Sequence, residues 1–412
     1  MPKYDVAVVG AGLGGLVAAA LLSRKGKKAV LLEPGEEIGG TLEAFQTQGF
    51  RFSTGATLTF GFERGGALER VYSELGIAHS ASVLSPCYQV ALPDRRINIY
   101  AENSETIDEL RREFPREIDA VARFFRDIRK VSERIARNGF LAYLLRHRPA
   151  NGFIRQYHFS TELTAFFNLQ SLFFFHQPVE RISIAALATL VDGAPLYLHG
   201  GLKRFADQMF DVFLRGGGEI RYRVPWPETV NTQGGITGLM TPEGPVEANA
   251  FLFNTEQQHQ GAALFIGVRD EVIPVGISLE VLCLADYSRP TEFFILSLSD
   301  RDDKVAAPKD MRTITASFPS LTYRPGLQEG LLEHVGGLIP FLKENMIVVA
   351  EHRPARRRYD FSPGLVFKPV RVAGDRSLLD KASSRNTYLL HDGTGSIVQA
   401  VSAARRFSER LG

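Results

Sequence analysis

The chain is poor in the residues that build cross-links and metal centres. It has two cysteines in 412 residues, Cys87 and Cys283. They lie far apart with no CxxC, which argues against a disulfide framework and fits a reducing, cytoplasmic compartment. Its nine histidines are scattered, with no HExxH pair, so no metal is expected. Charge of one sign is also lacking. A formal net charge of +2 gives no electrostatic case for a nucleic-acid partner. Long apolar runs free of glycine are missing, which disfavours a spanning helix. There is no internal repeat and no low-complexity linker. What remains, 44% apolar and 23% charged residues, is the balance of a globular protein with room for two domains.

The densest signal is DVAVVGAGLGGLVAAALL, Asp5 to Leu22. Lys3 and Ala18 to Ala20 could imitate a secretion signal. A βαβ reading accounts for more of the detail. Tyr4 to Val9 is a valine-rich run of strand length. Gly10, Gly12 and Gly15 give G-x-G-x-x-G. Leu13 to Lys25 reads as a helix with Gly26 as its C-cap, and Ala29 to Leu32 as a second strand ending at Glu33. Each position has a task in dinucleotide binding. Gly10 permits the tight turn, Gly12 lets backbone approach a pyrophosphate, and Gly15 lets helix and strand pack closely. The helix N-terminus favours the phosphates. Glu33 stands about 20 residues on, where a carboxylate bonds ribose hydroxyls.

The next segment separates one dinucleotide from another. It carries a doublet, Gly39-Gly40, and a glycine-bounded unit, Gly49-Phe50-Arg51-Phe52-Ser53-Thr54-Gly55. A nicotinamide domain has no need of a second loop, whereas a longer, extended cofactor does. Here the chain resembles the FAD-dependent phytoene desaturase, carotenoid isomerase and retinol saturase group, within the flavin amine oxidase superfamily. The resemblance implies that the doublet borders the FAD pyrophosphate and ribitol and that GFRFSTG lies near the flavin. Two positions depart from the group: Ser53 replaces the usual aspartate, and Thr41 stands where many desaturases carry arginine.

Two further stretches extend the resemblance. Near the C-terminus, the strand-like Thr387 to Leu390 precedes His391-Asp392-Gly393-Thr394-Gly395-Ser396 and a helix from Ile397 to Leu411. In relatives the matching aspartate binds the ribitol and the helix points at the flavin pyrimidine, where its dipole favours negative charge. In the middle, Tyr197 to Val224 matches a "GG, helix, GGxI, strand" unit. The adenine-contacting position, six residues past Ile220, falls on Trp226. The resemblance thus implies a cofactor site of Gly10, Gly12, Leu13, Gly14, Gly15, Glu33, Pro34, Gly39, Gly40, Thr41, Thr54, Gly55, Ala56, Thr57, Trp226, Asp392, Gly393, Ser396 and Ile397, with FAD as cofactor.

The expected fold is therefore α/β. A discontinuous Rossmann-like FAD-binding domain (1–80, 190–260, 350–412) joins an α+β substrate-binding domain (81–189, 261–349). Within the latter, 104–137 reads as helices, with capping-box spacing at Thr106 and Glu109 and a helix start at Pro115. Ile118, Val121, Phe125, Ile128, Val131 and Ile135 form an apolar stripe that ends at Asn138-Gly139. Phe140 to Arg148 and Phe166 to Pro178 are rich in aromatic and aliphatic residues. They read as helix core, or as a greasy tunnel or membrane-surface patch. Residues 277–318 alternate as strands that would floor the substrate site. Leu327 to Lys343 reads as an interrupted helix, and Arg353 to Arg358 as a solvated basic face.

Flavin carries the hard chemistry, so no acid–base pair or nucleophile is required, and none stands out. Tyr197, His199, His176 and Lys368 are weak candidates. The implied activity is hydride movement between flavin N5 and an apolar, isoprenoid or lipid-like substrate, with C=C bonds desaturated, saturated or isomerised. Two alternatives are a flavin amine oxidase and a non-catalytic prenyl holder of the GDP-dissociation-inhibitor type.

Overall fold

The computed structural model describes residues 3–40, 42, 44–53, 57–63, 65–232, 235–255, 261–301, 303, 305–322, 327–351, 367–369, 379–382, 386–391 and 397–411. The opening stretch forms strand β1 (Tyr4–Val9), helix α1 (Leu13–Arg24) and strand β2 (Ala29–Leu32). Gly26 follows the helix C-cap Lys25 with φ +76°, the left-handed geometry that ends a helix most easily at glycine.

β1 lies inside the first sheet. Its order runs Glu219–Arg221, β2, β1, Gly244–Thr255, Thr387–His391, Leu379–Ala382, Phe367–Pro369. The first four pairings are parallel and the last two antiparallel. Parallel strands are buried on both faces, which is why β1 and β2 are nearly continuous in valine, leucine and alanine. One face carries α1 with the helices Gly201–Arg215 and Ile397–Leu411, packed through Leu16, Leu21, Phe205, Met209, Ala404 and Phe407. The other is covered by the antiparallel hairpin Glu228–Thr232/Gly235–Thr241, which joins Gly244–Thr255. Ile236, Leu239 and Val246 meet Val9, Leu32 and Phe253 there.

The second sheet has the order Met346–Glu351, Gly261–Arg269, Met311–Thr322, Phe293–Leu298, Glu280–Leu284, Tyr88–Leu92, Arg95–Ile99. The strands expected in 277–318 are thus present, and the middle one is antiparallel to both neighbours. Helix Leu327–Gly336 packs on one face with Ile314, Ala316 and Leu296. The opposite face meets a layer of helices that includes Ile118–Arg137, Thr161–Phe175 and Ile184–Asp192. A small sheet, Leu58–Thr59, Leu196–Leu198 and Ala81–Ser82, links the two halves.

Two local expectations are corrected, the capping box and the Pro115 helix start, and two others are refined. Thr106 and Glu109 form no capping box, because they lie inside the helix Asn103–Glu113. Both side chains are claimed by the neighbouring strand: Tyr100 N–H donates to Thr106 Oγ1 at 3.0 Å and Asn98 N–H to Glu109 Oε2 at 3.1 Å. Pro115 does not start the next helix, which begins at Ile118 after the N-cap Glu117. Asn138 closes that helix but also caps the next, accepting from the N–H groups of Phe140 and Leu141. Leu327 to Lys343 divides into Leu327–Gly336 and the short Leu342–Asn345, with Phe341 between them at φ +61°.

The aromatic helix Thr161–Phe175 is core. Leu163, Phe166, Phe167, Leu169 and Phe174 are buried, and Phe124 meets Phe167 edge-on. The helix Gly139–His147 differs, with Phe140 71% and Leu144 47% exposed. Arg353 to Arg358 lie outside the described residues.

Candidate dinucleotide site

The site lies at the C-terminal end of β1, where the strand order reverses. Chains leave β2 and the Glu219–Arg221 strand on one side, and Gly244–Thr255 and Thr387–His391 on the other. In open α/β sheets that crevice takes the ligand.

Sterics fix the glycines. Gly10 has φ +95°, and a Cβ there would meet the Asn254 carbonyl oxygen at 2.6 Å. A Cβ at Gly15 would lie 2.1 Å from the Gly10 carbonyl oxygen, so this glycine lets α1 close onto the turn. At Gly14 the neighbour is a side-chain end, with Leu390 Cδ2 2.5 Å from its would-be Cβ. Gly12 is the N-cap of α1 and makes no side-chain capping bond, and Leu13 is buried behind it.

One residue joins the three parts of the site. Ala11 N–H donates to Glu33 Oε2 at 2.8 Å, while the Ala11 carbonyl accepts from Gly39 N–H at 2.8 Å. The glycine-rich turn, the acidic residue and the doublet therefore form one unit. Glu33 is 1% exposed, and its Oε1 accepts from Gly35 N–H at 2.6 Å. Two backbone donors thus hold the Glu33 carboxyl group in place. The Pro34 segment is fixed from below, since Val224 N–H donates to the Glu33 carbonyl and Arg223 N–H to the Gly35 carbonyl. Gly39 and Gly40 have φ of +110° and +62°. Lys203 runs beside Gly39 and pairs with Asp207.

Glu33→Ala orphans the Ala11 and Gly35 N–H groups, at about 1–3 kcal/mol for each that stays buried. The expected outcome is a lower melting temperature and at least a tenfold rise in the cofactor dissociation constant.

Other expected residues divide clearly. The Trp226 ring packs 5.4 Å from Phe253, within the layer beneath the first sheet. Phe50 and Phe52 of the GFRFSTG unit are buried with Phe265 and Val348 of the second sheet, so this unit ties the two halves together. Thr57 is half-buried, and Ile397 begins the last helix. Thr41, Thr54, Gly55, Ala56, Asp392, Gly393 and Ser396 lie outside the described residues. His176 is a helix C-cap at φ +54°, and His199 Nε2 lies 2.8 Å from the Ser82 hydroxyl at an exposed position. Lys368 belongs to the strand Phe367–Pro369. Among the described residues no His/Cys/Asp/Glu group could hold a metal, and no helix is long and apolar enough to cross a membrane. Cys87 and Cys283 are both buried and free.

Sequence reasoning missed Glu280. It is 1% exposed, and burial pushes its carboxyl up to about 8. The Thr57 hydroxyl donates to Oε1, and Ser297 Oγ donates to Oε2 at 2.8 Å. Tyr197 lies close enough for Glu280 to raise its phenol, although burial is the larger cause. The signal was present: Glu280 occupies the alternation phase of Leu282 and Leu284, which face the core.

Residues 8–75 fit the family described as an NAD(P)-binding Rossmann-like domain. Prolycopene isomerase 2 from an Oncidium hybrid cultivar is 34% identical over 133 residues, 31% of this chain and 23% of that protein. A 4,4'-diapophytoene desaturase from Methylomonas sp. is 26% identical over 279 residues, 62% of this chain and 54% of that protein. This chain resembles the carotenoid isomerases and desaturases. The all-trans-retinol 13,14-reductase of Danio rerio is similar too, at 29% over 168 residues, 39% of this chain and 27% of that protein. The chain thus spans about half or less of the length of the curated relatives it matches. Solved structures share the fold of this chain. A putrescine oxidase double mutant superposes with TM-score 0.63 at 14% identity, covering 99% of this chain and 98% of that one. A Rab GDI from Plasmodium falciparum superposes at 0.64 with 10% identity, covering 100% and 98%.

Proposed function

We propose that the chain binds FAD and uses it to move a hydride between flavin N5 and an apolar, isoprenoid-like substrate, desaturating, saturating or isomerising C=C bonds. The observation that carries this reading is the unit made by Ala11, Glu33 and Gly39 at the switch point of the parallel sheet. It stands beside a second sheet whose facing core is apolar and aromatic. Bound FAD would supply the hydride acceptor. The residues of the chain would hold it: Gly10, Gly12, Leu13, Gly14, Gly15 and Gly39-Gly40-Thr41 at the pyrophosphate, Glu33 and Pro34 at the ribose, and Trp226 near the adenine. Thr54 to Thr57, Asp392, Gly393, Ser396 and Ile397 would hold the ribitol and flavin. Segments 1–80, 190–260 and 350–412 would form the cofactor domain, and 81–189 with 261–349 the substrate domain, which orients the substrate and excludes water.

The similarity to isomerases, desaturases and a retinol reductase supports an isoprenoid-like substrate. The test is anaerobic titration of the flavin-loaded protein with isoprenoid hydrocarbons and alcohols, followed by absorbance. Bleaching by an isoprenoid, but not by diamines, is the expected result. Bleaching by diamines alone would instead make the chain an amine oxidase.

The exposed Phe140 and Leu144, followed by His147 and Arg148, favour peripheral contact with an anionic membrane. Co-sedimentation with anionic vesicles should fall several-fold in Phe140→Asp and stay unchanged if this helix does not touch lipid.

A further inference from the structure

The second sheet carries a polar strip on its otherwise apolar inner face. Across the registered strands, Glu280 lies opposite Ser297, Ser297 opposite Thr315, and Ile295 opposite Ser317. Alternation places these residues on the side of Leu282 and Leu284. Ser297, Thr315 and Ser317 are half-buried, whereas Leu296, Leu298, Ile314 and Ala316, which alternate with them, are buried against helix Leu327–Gly336. The inner-face residues of the alternation are therefore the less buried ones. Glu280 stands behind them, bonded to Ser297 and to Thr57. Thr57 belongs to the segment that connects to the dinucleotide half, since Leu198 N–H donates to its carbonyl. Tyr197, on the strand paired with Leu58–Thr59, is a titratable group within the electrostatic reach of Glu280. Asp300, Asp303 and Arg312 act on the same phenol.

A pure hydrocarbon offers nothing to these hydroxyls, and covering them with methylene groups costs free energy. We propose that Ser297, oriented by Glu280 and flanked by Thr315, is a subsite for an uncharged hydroxyl group on an otherwise apolar substrate. The inference rests on the apolar-substrate reading and narrows it. Glu280 is a positioning residue: its Oε2 accepts from the Ser297 hydroxyl, which fixes that oxygen and leaves its lone pairs to accept from a ligand hydroxyl. Burial keeps Glu280 protonated at neutral pH. The subsite therefore lacks the ionised partner that an ammonium group would need.

Calorimetric binding of farnesol, farnesene and farnesylamine to the purified full chain tests this. Farnesol should bind roughly 5- to 10-fold more tightly than farnesene, the worth of one net hydrogen bond. Ser297→Ala should remove that margin by weakening farnesol alone. Glu280→Gln, which keeps one donor and one acceptor, should preserve most of it. Equal binding of farnesol and farnesene, unchanged in Ser297→Ala, overturns the subsite and leaves the apolar reading standing. Tightest binding of farnesylamine overturns the neutral-ligand assignment. Binding of none of the three by protein that carries flavin removes the apolar reading, and the subsite with it.

Discussion

Gly15→Ala is expected to strip the protein of its cofactor and lower its stability by about 3 kcal/mol or more, the upper range for forcing atoms into a packed interior. The reason is geometric. A Cβ at this position lies 2.1 Å from the Gly10 carbonyl oxygen, and the obstacle is backbone, which no side-chain rotation relieves. Either α1 lifts from β1 or the Gly10 turn opens. Both displace Ala11, whose N–H and carbonyl tie Glu33 to Gly39. Gly26→Ala is the control. Gly26 also has positive φ, at +76°, but nothing lies within 4 Å of its would-be Cβ. That variant should lose only about 1 kcal/mol of left-handed strain and keep its cofactor. Thermal melts with a cofactor dissociation constant for each variant check both. Equal affinity in Gly15→Ala and wild type would show that the turn does not hold the dinucleotide.

The second large effect is a stability difference that grows with pH. In the folded protein the Glu280 carboxyl titrates at about 8, against 4.5 as the ordinary value, because it is buried. Between those values the folded chain keeps a proton that the unfolded chain has released. Raising the pH therefore favours the unfolded state, by up to about 1.4 kcal/mol per pH unit from this group. The contribution is fully present below pH 4.5 and is lost as pH rises through the folded value near 8. Glu280→Gln is close in shape and does not titrate. Its stability relative to wild type should rise by a few kcal/mol between pH 5 and pH 8 and then level off, as read from denaturant midpoints at each pH. A difference independent of pH would mean that Glu280 is ionised when folded.

Local signals and distant contacts explain what was legible in the sequence. β1, α1 and β2 could be read because their glycines, helix and acidic residue fall within about 30 consecutive residues, the size of one βαβ unit. The strand partners could not. Val9 pairs with Phe253, which pairs with Leu389, and no spacing rule links such distant residues. Thr106 and Glu109 show how tertiary contact defeats a local rule, since spacing suited a cap but the adjacent strand claimed both side chains. The aromatic helix Thr161–Phe175 was ambiguous for another reason. It is apolar over most of its circumference, so periodicity could not separate core from pocket. Glu280 was missed because one acid in an apolar strand is no motif. Only its alternation phase marked it, and only the register with Ser297 shows what it meets.

The most direct test is the visible absorption spectrum of the purified chain, before and after addition of FAD. The near-ultraviolet and blue bands of oxidised flavin, with FAD released on denaturation and the bands lost in Gly15→Ala, are the predicted result. A colourless protein that stays colourless with excess FAD would contradict the account.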